Sequence, residues 1–407
     1  MASKEKVIRE TFERGGGVLR LMPCFIPRPW GKAGRRLRLH PDDYYATGTK
    51  RGEMKERWFS SVQPAFADPT ASADEGMSYV EVTKDPKDKL LLKDFIDTLG
   101  AEIIGDELME KYGTWPMYSK FFDFVTPLFF HMHLTDDKAA NVGRRGKPES
   151  YYFPAAYNNY EGDFPHTYFG FDPSVSKEDV RKRLENFTME DNRITELSRA
   201  FRLKRDTGWV VPAGVIHAPG SLCTYEPQWN SDVNAVFDTV TAGEVNLRES
   251  LVQQVPEDKK DDLDYIISLL DWDKNVDPNF RKTYFRPPVL YRKNEQFQEK
   301  WISYANDYVA AKELTVYPGQ TAVVDDPVAY GCIIIQGHGE FGAFADAEAA
   351  AMLRYGQASA DEYFVSEQAA RKGIKIVNKS NYEPMVILKH FGPNHPDTPK
   401  TVPEFTE

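Results

Sequence analysis

Segment 127–153, PLFFHMHLTDDKAANVGRRGKPESYYF, sets two histidines one residue apart inside an apolar run. In an extended strand, residues two apart point to the same side. His131 and His133 therefore project together, while Phe130, Met132 and Leu134 turn the other way into packing. Glu149 follows after a polar loop, and His217 stands later in VVPAGVIHA. If the first strand lines a small barrel, Glu149 would return on the neighbouring strand and His217 would close the set from a later one. Three imidazoles and one carboxylate are a sound ligand set for a divalent transition metal, with positions left open for water or substrate. Separate core histidines, each satisfied by backbone, are the bland alternative. The joint order H-x-H, Glu, PAGxxHA favours the metal.

The elements that must position these residues are mostly strands. MYSKFFDFV and PLFFHMHL are rich in aromatic and β-branched residues and read as strands. Asp206-Thr207-Gly208 reads as a turn, Trp209 to Val211 as a short strand, and Pro212-Ala213-Gly214 as a second turn before His217. Helical stretches interrupt this pattern at about 88–113, 176–200 and 258–272. In the first, Leu92, Phe95, Ile96 and Leu99 share one face, Gly100 and Gly105 break it, and Gly113 is a stop signal. The second opens with Ser176 and Asp179 in capping-box spacing. From about residue 279 short strands return, and DEYFVSEQAARKGIKIVNKSNYEPMVI echoes DTGWVVPAGVIHAPGSLCTYEPQ in strand, turn, strand order. No histidine takes the place of His217 in the late copy. A duplicated β-module follows, of barrel or jelly-roll type, in which only the first copy keeps its polar cluster.

Length and charge limit the remaining possibilities. A chain of 407 residues suits two domains, expected here as 1–278 and 279–407. A formal net charge of −11 disfavours nucleic acid, whose phosphates reward basic surfaces, and anionic membranes as well. Cys24, Cys223 and Cys332 lie far apart, as reduced thiols do. The N-terminus has no apolar run behind its charges, and no stretch is long enough to span a membrane. The expectation is a cytoplasmic protein, monomer or homodimer, whose partner is a small molecule.

The motifs taken in order resemble the type I mannose-6-phosphate isomerases, of the cupin superfamily. PCFIPRPWGK and KERWFSS look like the family's early segments, and DFIDTLGAEIIGDELMEKYGTWPMYSKFFDFVTPLFFHMH like its helix-plus-strand segment ending in a metal pair. GKPESYYF, YFGFDPSVSKEDV, VVPAGVIHA and LLDWD follow in the family's order. The resemblance implies a mainly β bicupin fold: two double-stranded β-helix jelly rolls with helical insertions, the second without metal ligands. It also implies aldose–ketose isomerisation of mannose 6-phosphate or a related sugar through an enediol. One divalent metal per chain is implied, zinc first, with manganese, iron, cobalt or nickel as alternatives. His133, Glu149 and His217 fall on family ligands. His131 falls on a family glutamine and preserves coordination.

A second departure concerns phosphate. Where the family carries an active-site arginine, YEPQWNSDVNAVFDTV has Ala235 or Val236, while Ser231, Asp232 and Asp238 match. Arginine is the natural bidentate phosphate reader. Arg144, Arg145 and Arg286 are the candidate substitutes, with solvated surface charge as the alternative. Asp238 is a candidate substrate contact. Lys120, Lys147 and Glu226 are the candidates for the proton-shuttling base. Two other functions fit the same residues: an iron-dependent oxygenase using the three-His, one-Glu set, and a sugar-binding protein that kept the cavity and lost the chemistry.

Overall fold

The computed structural model describes residues 3–65 and 70–405. Two seven-stranded antiparallel sheets pack face to face, and each is closed into a barrel by a smaller sheet. In the first large sheet the order is Phe285–Arg286, Gly208–Val211, Glu149–Tyr152, Thr224–Trp229, Met117–Phe122, Glu53–Phe59, Cys24–Arg28. In the second it is Val18–Arg20, Glu362–Val365, Tyr330–Gln336, Met385–Phe391, Ala310–Val316, Phe297–Ser303, Val289–Lys293. The fold is the mainly β bicupin expected from the motifs, with helices at Leu92–Leu99, Asp106–Tyr112, Lys177–Glu185 and Leu263–Ser268 among the insertions.

Strand periodicity of two explains both faces of each large sheet. Phe59, Phe121 and Tyr225 point between the barrels, where they meet Ile302, Ala311, Ile333 and Leu388. Their chain neighbours Trp58, Lys120 and Glu226 consequently point into the first barrel. The expected division at residue 278 is crossed twice. Val18–Arg20 pairs with Glu362–Val365 of the second sheet, and Phe285–Arg286 pairs with Gly208–Val211 of the first. Each barrel thus extends the other's sheet by a short strand, which covers backbone groups that would otherwise be a free edge.

Strand order and register are repeated. Glu226 pairs with Lys120, and Lys120 with Trp58. In the second barrel Lys389 pairs with Lys312, and Lys312 with Trp301. The late YEP of the sequence echo is out of this register: the counterpart of Glu226 is Lys389, not Glu383, which precedes the strand Met385–Phe391.

The capping box at Ser176 and Asp179 is present in both directions, and Gly113 ends its helix in the left-handed region at φ 65°. Two elements differ from expectation. The helix opening at Lys177 ends at Glu185, and Ser198–Arg202 is a strand paired with His166–Phe171. PLFFHMHL forms a ladder only at His131–Met132, because the N–H groups around it go elsewhere; that of Leu128 donates to the Pro219 carbonyl.

Candidate metal centre and its charge ladder

Met132 pairs with Ala235, and His131 pairs with both His217 and Val236, in the small sheet of the first barrel. Phe130, Met132 and Leu134 are buried in the cluster behind that sheet, so both imidazoles face the interior. Glu149 arrives from the facing large sheet rather than from a neighbouring strand, contrary to the sequence expectation. A ligand set spread over two sheets is fixed by the barrel as a whole.

Each imidazole is oriented by a backbone carbonyl at its Nδ1: His131 by Phe129 at 2.9 Å, His217 by Val215 at 3.0 Å, and His133 by Val233. A carbonyl only accepts, so each Nδ1 carries the hydrogen and each Nε2 presents a lone pair. The candidate ligand atoms of the three rings lie within 4.8 Å of one another. Glu149 sits 3.2 Å from the Nε2 of both His133 and His217. The His217 Nε2 is buried and makes no hydrogen bond. A lone pair and a carboxylate oxygen turned into the same space repel each other unless a cation lies between them. The donor set fits a divalent metal on that ground, and Nδ1 contacts to carbonyls are the outer support that metal-binding imidazoles use.

Electrostatics keep His131 and His133 neutral. Burial, reinforced by the other two imidazoles, holds His131 well below its ordinary value. Burial and the Lys147 ammonium bring His133 down to about 4. Glu149 is pushed up by burial, but Lys147 and His133 outweigh that and hold it well below the usual carboxylate range. The Tyr151 hydroxyl donates to Glu149 at 2.6 Å.

From Glu149 a row of alternating charge crosses the large sheet. Lys147 Nζ donates to Glu149 at 2.6 Å, to His133 Nε2 at 3.0 Å and to Glu226 at 3.4 Å. Lys120 lies 3.2 Å from Glu226 and 4.0 Å from Glu56. Arg28 grips Glu56 bidentately at 2.9 and 3.0 Å and reaches Asp232 at 3.3 Å. Burial, then Glu149, raises Glu226 to about 7 against the pull of Lys120 and Lys147. Lys147 goes the other way: burial lowers it, but Glu149 and Glu226 raise it above the ordinary lysine value. The imidazoles His131 and His133 and the whole row face one cavity of about 330 Å³, within the range of small-molecule sites.

The structure brings His131, His133, Glu149, His217, Lys120, Lys147 and Glu226 together. It sets the other candidates apart. Arg144 and Arg145 are exposed and line an adjoining cavity that shares Asp232 and Val233 with the first but does not include the metal-ligand groups. Asp238 is buried outside the site, accepting from Thr241 at 2.7 Å. Arg286 is buried too, but donates to the carbonyls of Thr283, Phe285, Tyr304 and Ala305. Sequence reasoning passed over Arg28, Glu56, Asp232, Trp30 and Tyr151 as site residues. The available signal was EMKERWF, whose three consecutive charges Lys55, Glu56 and Arg57 sit between apolar residues in a strand and are all buried.

No family model matches the chain, and no curated protein sequence matches it. Solved structures do. Mannose 6-phosphate isomerase from Bacillus subtilis aligns at TM-score 0.61 and 15% identity over 92% of this chain and 99% of its own. A mannose 6-phosphate isomerase bound with zinc and yttrium aligns at 0.59 and 12%, with the same coverage. A point mutant of phosphomannose isomerase from Salmonella typhimurium gives 0.59 and 12% over 92% and 99%. Over nearly its whole length the chain has the fold of these isomerase structures.

Proposed function

We propose that this protein is a metal-dependent aldose–ketose isomerase, acting on a sugar of the mannose and fructose type with one divalent cation held by His131, His133, Glu149 and His217. One observation carries this reading. Beside four convergent metal-ligand groups stands a carboxyl, Glu226, whose affinity for protons is matched to neutral pH and which two lysines hold in place. Such matching is what a group that both takes and returns a proton requires. A metal there would polarise the sugar's oxygens and favour the developing oxyanion. The like-folded structure that binds zinc makes zinc the first choice of metal.

Three candidates for the base are separated by comparing the barrels. Lys120 has a counterpart, Lys312, in the barrel without the three-histidine cluster, so its presence does not depend on a metal set. Glu226 faces Lys389 across the duplication, so it is peculiar to the first barrel. Lys147 is held charged and cannot accept a proton. Glu226 takes the proton from C2 as that C–H bond breaks and its electron pair forms the enediol C1=C2 bond, with a proton taken up at O1. Glu226 then returns the proton to C1, and O2 gives up its own, leaving the ketose. The Lys147 and Lys120 ammonium groups hold Glu226 in position between turnovers. Free thiols at Cys24, Cys223 and Cys332 suit a reducing cytoplasm. Among the described residues no helix is long and apolar enough to cross a membrane.

The test is proton NMR of mannose and of mannose 6-phosphate in D2O with zinc- or manganese-loaded protein. Loss of the H2 signal, with deuterium appearing in the ketose product, is the expected result for one of the two. Neither exchange nor conversion of either sugar with any divalent metal would overturn the reading.

A further inference from the structure

Every cation lining the first barrel's cavity is already held by a carboxylate. Arg28 holds Glu56 and Asp232, and Arg51 holds Glu75 at 2.6 Å. Lys120 and Lys147 share Glu226, and each has a second carboxylate besides. Residues 1–2, 66–69 and 406–407 contain no lysine or arginine. A phosphate dianion entering this cavity would have to take one of these cations from its partner, leaving a buried carboxylate uncompensated. An uncompensated buried charge is strongly unfavourable.

The duplication shows that this pairing belongs to the scaffold. In the second barrel Arg292 holds Glu299 at 2.7 Å, and Lys312 stands 3.8 Å from the same carboxylate. Glu299 and Lys312 are the register counterparts of Glu56 and Lys120 and are fully buried, and Arg292 grips Glu299 from the position opposite it rather than from the place of Arg28. A like Arg–Glu–Lys row therefore forms around a carboxylate and an ammonium that are closed off from solvent. Arg28 and Lys120 serve the sheet, and neither is reserved for an anion.

The rest of the cavity suits a neutral polyol. Trp30 and Phe129 form an aromatic wall, with ring centroids 5.5 Å apart, and Val236 adds an apolar surface beside His131. Asn234, Asn246, Ser250 and Gln253 contribute uncharged amides and a hydroxyl. Apolar rings with a few placed hydrogen-bonding groups are how proteins hold small uncharged ligands.

We infer that the substrate is an unphosphorylated sugar, and that pairing of Arg28 with Glu56 and Asp232 sets this preference. The inference rests on the isomerase reading only for the ligand being a sugar; the discrimination against phosphate rests on the charge pairing alone. Binding is therefore measured separately from turnover. The full-length, metal-loaded protein is titrated calorimetrically with mannose, fructose, their 6-phosphates and inorganic phosphate, at low and high salt. Free sugars should bind at least as tightly as the 6-phosphates, with little dependence on salt, and inorganic phosphate should not compete. Asp232→Asn relieves Arg28 of one carboxylate and should shift the ratio by about tenfold toward the 6-phosphate. A 6-phosphate that binds the native protein more than about tenfold tighter than the free sugar, with strong salt dependence, overturns the inference. So does failure of every neutral sugar to bind. Free sugar that binds without exchanging its C2 proton leaves this inference standing and removes the isomerase reading instead.

Discussion

The two barrels of this chain share strand order and register but spend their interiors differently. In the first, the small sheet turns His131, His133 and His217 toward the facing carboxylate of Glu149. In the second, the corresponding small sheet contributes Ala322, Val324, Ile374 and Ile376 to a closed apolar core. Both large sheets carry an Arg–Glu–Lys row with a tryptophan beside it. Where the first barrel has Glu226 facing Lys147, the second has Lys389 facing Asp326 at 2.7 Å, with Lys312 2.5 Å from the same aspartate and His395 closing the group. The charges of the second cluster are satisfied among themselves. In the first, three imidazole nitrogens and a carboxylate converge with Lys147 beside Glu149 and His133, and the buried His217 Nε2 has no hydrogen-bond partner. The comparison teaches that the row is scaffold and that the departures from it mark the chemistry.

Breaking the metal set should have the largest effect. His217→Ala, or chelation of the native protein, should lower turnover by on the order of 10³-fold, as loss of several kcal/mol of oxyanion stabilisation requires, with no loss of helix or strand signal by circular dichroism. Glu226→Gln should cost about 10²–10⁴-fold in kcat with metal content unchanged. Only the carboxylate accepts a proton, so the native kcat/KM should fall as pH drops through the Glu226 value, which burial raises above the ordinary carboxylate range. The Gln variant's residual rate should lack that limb.

The second barrel should answer in stability instead. Lys389→Met leaves Glu299 and Asp326 buried with one cation fewer, and denaturant unfolding should lose about 3–5 kcal/mol while metal content per folded chain stays the same. Tyr151→Phe sharpens the comparison most gently. It removes the 2.6 Å hydrogen bond to the ligand Glu149 while leaving all four ligand side chains in place, and should weaken metal affinity by about 10–100-fold, read by competition with a chromogenic chelator.

Much of this was legible in the sequence because the signals were local. The H-x-H spacing fixed a shared side for His131 and His133, Ser176 and Asp179 announced a helix start, and Gly113 a helix stop. The late echo of the His217 segment, without its histidine, also indicated two β-modules with one polar interior. What escaped were pairings between distant strands. Glu149 comes from the opposite sheet, which no spacing reveals. Arg28, Glu56 and Asp232 are separated by long stretches of chain and become a unit only through strand pairing. The YEP echo suggested a register six residues from the true one, because the resemblance of a turn is cheap and the register of a ladder is set by what each face must bury. Arg144, Arg145 and Asp238 looked suited to substrate by type, but the first two sit on the outside and the third is enclosed by Thr241 and Asn246.

The central claim is that the first barrel alone binds one divalent cation through residues on both its sheets. Elemental mass spectrometry after dialysis against zinc measures this directly, on the native protein and on His217→Ala and Lys389→Met. One metal per chain is expected in the native protein and in Lys389→Met, and none retained in His217→Ala. Two metals per chain, or undiminished metal in the histidine variant, would contradict it.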